Sequence, residues 1–218
     1  MVCHYEKNGK TLVAKGEVCV IAIGRKANTG NIELETVEIK HGSGFISVDE
    51  RMLTGEDNVY AVGDITGKAQ LAHVASSQGI VAAQNIAGQD KKMKYNIIPS
   101  CIYTSPEIAY VGLDEKSAKN NGYDVAIGQF FVSGNGKSMI MGEKSGMVKL
   151  ITESRTGEIL GAQIMAPRAT DIISEICAAM KAESTIEELE DTIHPHPSIS
   201  EMIMEAAHDV SGLCIHKS

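Results

Sequence analysis

The sequence predicts an α+β protein whose second half is an antiparallel sheet with helices beside it. Three observations carry this. From residue 97 onward, short apolar strands alternate with turn residues. Residues 154–157, Ser-Arg-Thr-Gly, have the length and chemistry of a hairpin loop between two of those strands. Residues 168–183 place Ile172, Ile173, Ile176, Ala179 and Met180 on one helical face, as in a helix laid on a sheet.

Taken in order, the elements begin with a hairpin inside residues 1–24, turned at Asn8-Gly9. The near-continuous apolar run Val18 to Ile23 suits a strand buried on both faces, as in a parallel sheet. It ends at Gly24, before the basic pair Arg25-Lys26. Residues 27–58 are turn-rich, with short strands expected at 37–40 and 45–48. Asn58 to Val62 reads as a strand running into Gly63-Asp64, and a helix is expected over 71–87, closed by Gly88. The polar stretch 88–96 reads as a linker. Strands follow at 108–112, 125–132, 146–152 and 158–165, with a short helix at 114–120 stopped by Gly122. After the long helix, Ser184 and Glu187 form a capping-box pattern ahead of a helix at 185–191. A last helix is expected at about 199–210, with Ser198 as N-cap and Glu201 completing a second capping box.

Composition narrows the function. The net charge of −8 argues against nucleic acid or an anionic membrane as the main partner, because both favour a basic patch. No apolar run reaches the roughly 18 residues of a membrane span. The N-terminus lacks the apolar core of a signal peptide. Five cysteines stand at 3, 19, 101, 177 and 214, with no CxxC or CxxxxC pair, and are expected to be scattered, mostly buried thiols of a reducing, cytoplasmic protein.

Two stretches imitate phosphate loops and fail. Gly9-Lys10-Thr11 and Gly136-Lys137-Ser138 carry His4 and Phe131 where a Walker A loop requires glycine. Gly134 and Gly136 are followed by Met139 where a dinucleotide fingerprint needs its third glycine.

The most informative stretch is residues 193–201, IHPHPSISE. Pro195 and Pro197 lack backbone N–H groups and bias His194 and His196 toward extended geometry. A stiff arm therefore ends at a histidine and leads into a helix whose first turn carries a carboxylate. His196 is a candidate general base, with Glu201 accepting from its far ring nitrogen. An HxH metal pair, plain loop histidines, and a purely capping Glu201 are the competing readings. Asp64, at a strand end, suits a hydroxyl of a nucleotide or ribityl chain.

Five segments in order resemble the pyridine-nucleotide disulfide oxidoreductases across essentially the whole chain. IAIGRKANTG resembles the boundary between their NAD and FAD domains, and VYAVGDITGKAQLAHVASSQGIVAAQNIAG resembles their second flavin-contacting segment. PSCIYTSPEIAYVG and GMVKLITESRTGEILGAQIM are similar to the start and central hairpin of their dimerisation domain. IHPHPSISE resembles the active-site motif of the dihydrolipoamide dehydrogenase branch, more closely than the related motif of glutathione reductases. The resemblance implies a C-terminal dimerisation domain at 97–218, preceded by the tail of the NAD domain at 1–24 and the end of the FAD domain at 25–96. It implies His196 as catalytic base and Glu201 as its partner. Asp64 would meet the flavin's ribityl chain, Gln70, Leu71, Ala72 and His73 would lie beside the flavin ring, and Gly24 near the nicotinamide nucleotide.

The family's two GxGxxG fingerprints and its CxxxxC disulfide do not occur in the sequence. The chain is therefore expected to be the C-terminal part of a protein about twice as long. FAD and NAD would belong to that longer enzyme, with neither bound tightly here, and no metal is expected. The expected partners are a second copy, as a homodimer in which His196 serves the opposite subunit, and the lipoyl domain of a 2-oxoacid or acetoin dehydrogenase complex. The isolated chain is expected to be inactive. A stand-alone dimerisation module and a glutathione-reductase-like enzyme are the alternatives.

Overall fold

Asn8 and Gly9 both have positive φ (54° and 71°), the geometry that closes a tight two-residue hairpin between β1 (Val2–Lys7) and β2 (Lys10–Lys15). The computed structural model describes residues 1–37, 39, 41, 42 and 44–217. The chain divides into two compact units, Met1–Met93 and Lys94–Ser218.

In the first unit, β3 (His41–Gly42) pairs with β4 (Phe45–Ile46), and a 3₁₀ turn at Gly63–Thr66 precedes helix α1 (Ala72–Ile86). Gly88 follows that helix with φ 83° and donates to the Asn85 carbonyl, as a C′ glycine should. A small cluster of Ile39, Ile46 and Ala61 forms the unit's core.

Two strand expectations fail here. Val18–Ile23 forms no strand, and Val18, Val20, Ile21 and Ile23 are 79–95% exposed. A strand buried on both faces needs neighbours at its edges and layers above and below, and the described residues supply neither. Asn58–Val62 is reduced to an isolated bridge between Leu53 and Tyr60. The strand expected at 37–40 falls partly on residues 38 and 40, outside the described residues, and 37 and 39 are not in a strand.

The second unit carries the real core. Strands β5 (Ser100–Ile102), β6 (Glu107–Gly112), β7 (Val125–Phe131), β8 (Met147–Glu153) and β9 (Ile159–Ala166) form one antiparallel sheet in the order β5-β6-β9-β8-β7. α4 (Ala169–Lys181) packs on β6 and β9, and α6 (Glu201–Val210) packs on β7 and β8. Ile173 and Ile176 of α4 meet Val148, Leu150 and Ile164 of the sheet and Met202 and Ile203 of α6, all buried in one cluster. Each such burial stabilises by about 1.5–3 kcal/mol. Neighbouring residues point to opposite sheet faces, so Ile151 faces away from that cluster. It packs with Ala118 of α2 (Glu115–Asn120) and with Leu160.

Several boundaries shift by one step. The expected Ser184–Glu187 box is formed instead by Thr185 and Glu188, with both reciprocal bonds present, ahead of α5 (Ile186–Asp191). Hydroxyls of either residue can cap, and the register is chosen by where Ile186 and Leu189 become buried. Gly136-Lys137-Ser138 opens the short helix α3 (Gly136–Ile140), and Asn135 Oδ1 caps it by accepting from the Ser138 amide at 2.8 Å. The thiols are less buried than expected. Cys3 and Cys19 are exposed, Cys101, Cys177 and Cys214 are half-buried, and all five are free.

Gly128 of β7 lies under α6. A Cβ there would sit 1.9 Å from the Ala206 carbonyl oxygen and 2.7 Å from Val210 Cγ2. Gly128→Ala should force α6 off the sheet and destabilise the unit by about 1–3 kcal/mol, the range for overpacking. Thermal melting of the chain checks this, with a lowered Tm expected.

Candidate functional site

The arm between α5 and α6 contains no helix or strand from Thr192 to Ile199, in keeping with prolines 195 and 197. The His196–Pro197 peptide bond is cis, as is Ser105–Pro106. Fixed points lie on both sides. Thr192 Oγ1 donates to the Glu188 carbonyl at 2.5 Å, and Asn135 Nδ2 donates to the Ser198 carbonyl at 2.9 Å. Ile199 is buried beneath the arm.

Glu201 begins α6 and uses its two oxygens differently. Oε2 accepts from the Ser198 amide at 2.7 Å, while Oε1 lies 2.8 Å from His196 Nδ1. Capping and pairing are thus simultaneous. The capping box is only half formed, which corrects the Ser198 N-cap expectation. The N-cap is Ser200, and the buried Ser198 hydroxyl has no partner among the described residues. The His196 side chain is 78% exposed and that of Glu201 only 20%. A carboxylate accepts, so Nδ1 carries the proton and Nε2 of the neutral ring holds a lone pair directed outward. This is the arrangement of an oriented general base.

His194 is built differently. Its side chain is 3% exposed, Nε2 lies 2.7 Å from Glu175 Oε1 on α4, and Nδ1 lies 2.9 Å from the Thr192 carbonyl oxygen. Both partners accept, so the imidazolium, with a donor at each nitrogen, is the form that satisfies both contacts. The Glu175 hydrogen bond holds the His194 pKa above its ordinary value against the opposing effect of burial, with smaller help from Thr192 and Glu201. With no lone pair left, His194 is unsuited to metal binding. No cluster of three or more His, Cys, Asp or Glu side chains poised for a metal occurs among the described residues.

One turn into α6, the buried Glu205 accepts from Cys214 Sγ at 3.0 Å and from the Ile215 amide at 3.1 Å, and pairs with His216 Nδ1. Burial works against its charge, but these hydrogen bonds outweigh it and hold the Glu205 carboxyl below its usual range. Burial and then Glu205 itself push the Cys214 thiol up to about 11. The C-terminal residues are thereby strapped to the helix that carries Glu201.

In the first unit, Arg25 Nη1 donates to Asp64 Oδ2 at 2.8 Å and Nη2 donates to the Gln70 carbonyl at 2.5 Å. Arg25 therefore joins Asp64 to the Gln70 carbonyl, just ahead of Leu71, the N-cap of α1, and of Ala72 and His73 in its first turn. Gly24, with φ 135°, lies in the exposed segment just before Arg25. Glu175, Arg25, Asn135 and Glu205 were not singled out by the sequence. Only Arg25 left a trace, as half of the basic pair after Gly24.

His194 should make stability depend on pH. Its folded pKa is raised, so its contribution is complete below the ordinary value of about 6.5 and is lost as pH rises through the folded value. Melting temperatures taken from about pH 6 upward past this ordinary value should fall, and Glu175→Gln should flatten that decline. A decline of equal size in Glu175→Gln would show that another group causes it.

Residues 98–207 match the profile of the pyridine nucleotide-disulphide oxidoreductase dimerisation domain, and residues 4–79 match that of pyridine nucleotide-disulphide oxidoreductase. The chain is 44% identical over 212 residues to a dihydrolipoyl dehydrogenase of Bacillus subtilis, covering 97% of this chain and 45% of that protein. It is 39% identical over 213 residues to a dihydrolipoyl dehydrogenase of Geobacillus stearothermophilus, again covering 97% and 45%. The chain thus spans about half the length of the curated relatives it matches. Among solved structures, LpdA from Mycobacterium tuberculosis superimposes with a TM-score of 0.84 at 29% identity, over 92% of this chain and 44% of that one. The flavoprotein disulfide reductase RclA from Escherichia coli shares the fold, with a TM-score of 0.85 at 24% identity over 96% and 48%. With half of its length matching the dimerisation domain and the first part matching the preceding domain, the chain belongs to the pyridine nucleotide-disulphide oxidoreductases.

Proposed function

We propose that this chain is the C-terminal part of a flavin-dependent dihydrolipoamide dehydrogenase, which converts dihydrolipoamide and NAD⁺ to lipoamide and NADH. The observation that carries this is the 2.8 Å pairing of His196 Nδ1 with Glu201 on an arm that leaves Nε2 open. Residues 97–218 are the dimerisation domain, 25–96 the end of the FAD domain and 1–24 the tail of the NAD domain.

In this reading His196 Nε2 takes the proton of a substrate thiol. The S–H bond breaks, the thiolate becomes the nucleophile for disulfide exchange, and the ring becomes an imidazolium. Glu201 stabilises that charge and keeps the proton-bearing nitrogen turned inward. Asp64 and the segment Gln70–His73 fit one side of a flavin site, which is supported by the Asp64 carboxylate and the Gln70 carbonyl meeting on the Arg25 guanidinium. A flavin held there would supply two-electron transfer to a nicotinamide, and Gly24 would be a contact for that nucleotide. The glycine fingerprint for a flavin diphosphate is not in this sequence, so the isolated chain binds no flavin tightly and is inactive.

The working form is a homodimer, and His196 serves the opposite subunit. Ile102, Tyr103, Met139, Ile140 and Ile193 are 47–94% exposed on the second unit, which supports a covered surface there. The thiol substrate is carried by the lipoyl domain of a 2-oxoacid or acetoin dehydrogenase complex, and the protein works in the cytoplasm. No helix among the described residues is long and apolar enough to cross a membrane.

A chimaera tests the proposal. The N-terminal portion of the Bacillus subtilis relative, joined to this chain, should bind flavin and reduce NAD⁺ with dihydrolipoamide. His196→Gln in that chimaera should lower turnover about 10²–10⁴-fold, the usual weight of a general base. A chimaera that binds flavin but does not oxidise dihydrolipoamide would contradict the substrate assignment. Turnover by the isolated chain would contradict its inactivity.

A further inference from the structure

We propose that His194 is a positioning residue: locked between Glu175 of α4 and the Thr192 carbonyl, it sets the arm so that His196 meets Glu201 in the proton-accepting orientation. This deepens the general-base reading of His196 and rests on it.

The argument begins with what the arm lacks. Pro195 and Pro197 flank His196 and offer no N–H, so the arm cannot be held by its own backbone pairing at these positions. The position of His196 must come from anchors on either side. On the C-terminal side they are the Ser198 amide on Glu201 and the Ser198 carbonyl on Asn135. On the N-terminal side, the nearest anchor is His194, two residues away. Ile193, its neighbour, is 94% exposed and fixes nothing.

His194 suits this role because both of its ring nitrogens are engaged, at 2.7 Å and 2.9 Å, and its side chain is 3% exposed. A ring bonded at one nitrogen can pivot, but one bonded at both cannot. The same double engagement leaves it no lone pair for proton transfer or metal binding. The acid bonded to the ring is Glu175 of α4, while Glu201 of α6 acts on it only through its charge. His194 thus ties the arm to α4, a helix that does not adjoin it in sequence. Loss of the tether should leave Glu201 on its Ser198 amide while His196 swings free.

The test reads the His196 tautomer directly in this chain, by ¹⁵N-histidine NMR at about pH 7.5, where an ordinary imidazole is neutral. The starting chain should show His196 protonated at Nδ1. Glu201→Ala should move the proton to Nε2, which free imidazole favours, with an Nδ1-to-Nε2 ratio lower by about tenfold, the weight of a charged hydrogen bond. His194→Ala and Glu175→Ala should reproduce most of that shift although neither touches His196. His194→Gln, which keeps a donor toward Glu175, should restore part of the Nδ1 form. If His194→Ala does not fold, Glu175→Ala carries the test. An unchanged His196 tautomer in folded His194→Ala or Glu175→Ala, whatever the loss of Tm, would overturn the positioning role and leave the His196–Glu201 pair intact. An Nε2–H tautomer in the starting chain would instead overturn the pair itself.

Discussion

A carboxylate has two oxygens, and in Glu201 each fixes a different thing. One holds the Ser198 amide and so fixes where the chain turns into α6; the other holds His196 and so fixes which imidazole nitrogen is basic. The candidate site reduces to this one side chain at the first turn of one helix. Everything that places the helix therefore places the His196 imidazole.

The helix is placed from several sides. Its apolar face, Met202, Ile203, Ala206 and Ala207, is wholly buried against the sheet. Gly128 permits the close approach. Asp209 accepts from the Gln129 amide of β7 at 2.9 Å, a polar contact that fixes the helix along the strand. Glu205 fastens the C-terminal residues over it. A short cap on a short helix would be a weak device in isolation, because brief helices are marginal in water. It is firm here because tertiary packing has already ordered the helix.

Much of the second unit was legible in the sequence because its signals are local. Four of its five strands, the long helix and the position of the arm follow from periodicity, glycines and prolines, while spacing offered His196 with Glu201 only as one reading among several and the family resemblance singled it out. β5 was missed because three residues are too few for a period. The Thr185–Glu188 box was misplaced by one residue because serine and threonine can both cap and adjoin here. Glu175 was invisible as a partner because it reaches His194 through the fold, across nineteen positions of sequence. The first unit was read less well for the opposite reason. Val18–Ile23 has the composition of a buried parallel strand, but a strand of that kind is specified by neighbours, and the described residues of this chain do not provide them.

The central claim is that the second unit holds the His196–Glu201 pair ready-made, independent of any order in the apolar segment before Arg25. Amide hydrogen exchange on the intact chain tests it most directly. The Ser198 amide, whose acceptor is Glu201, should exchange slowly, together with β6 to β9 and α6, while residues 17–24 exchange at the rate of open chain. A Ser198 amide exchanging as fast as residues 17–24, within an otherwise protected sheet, would contradict the account.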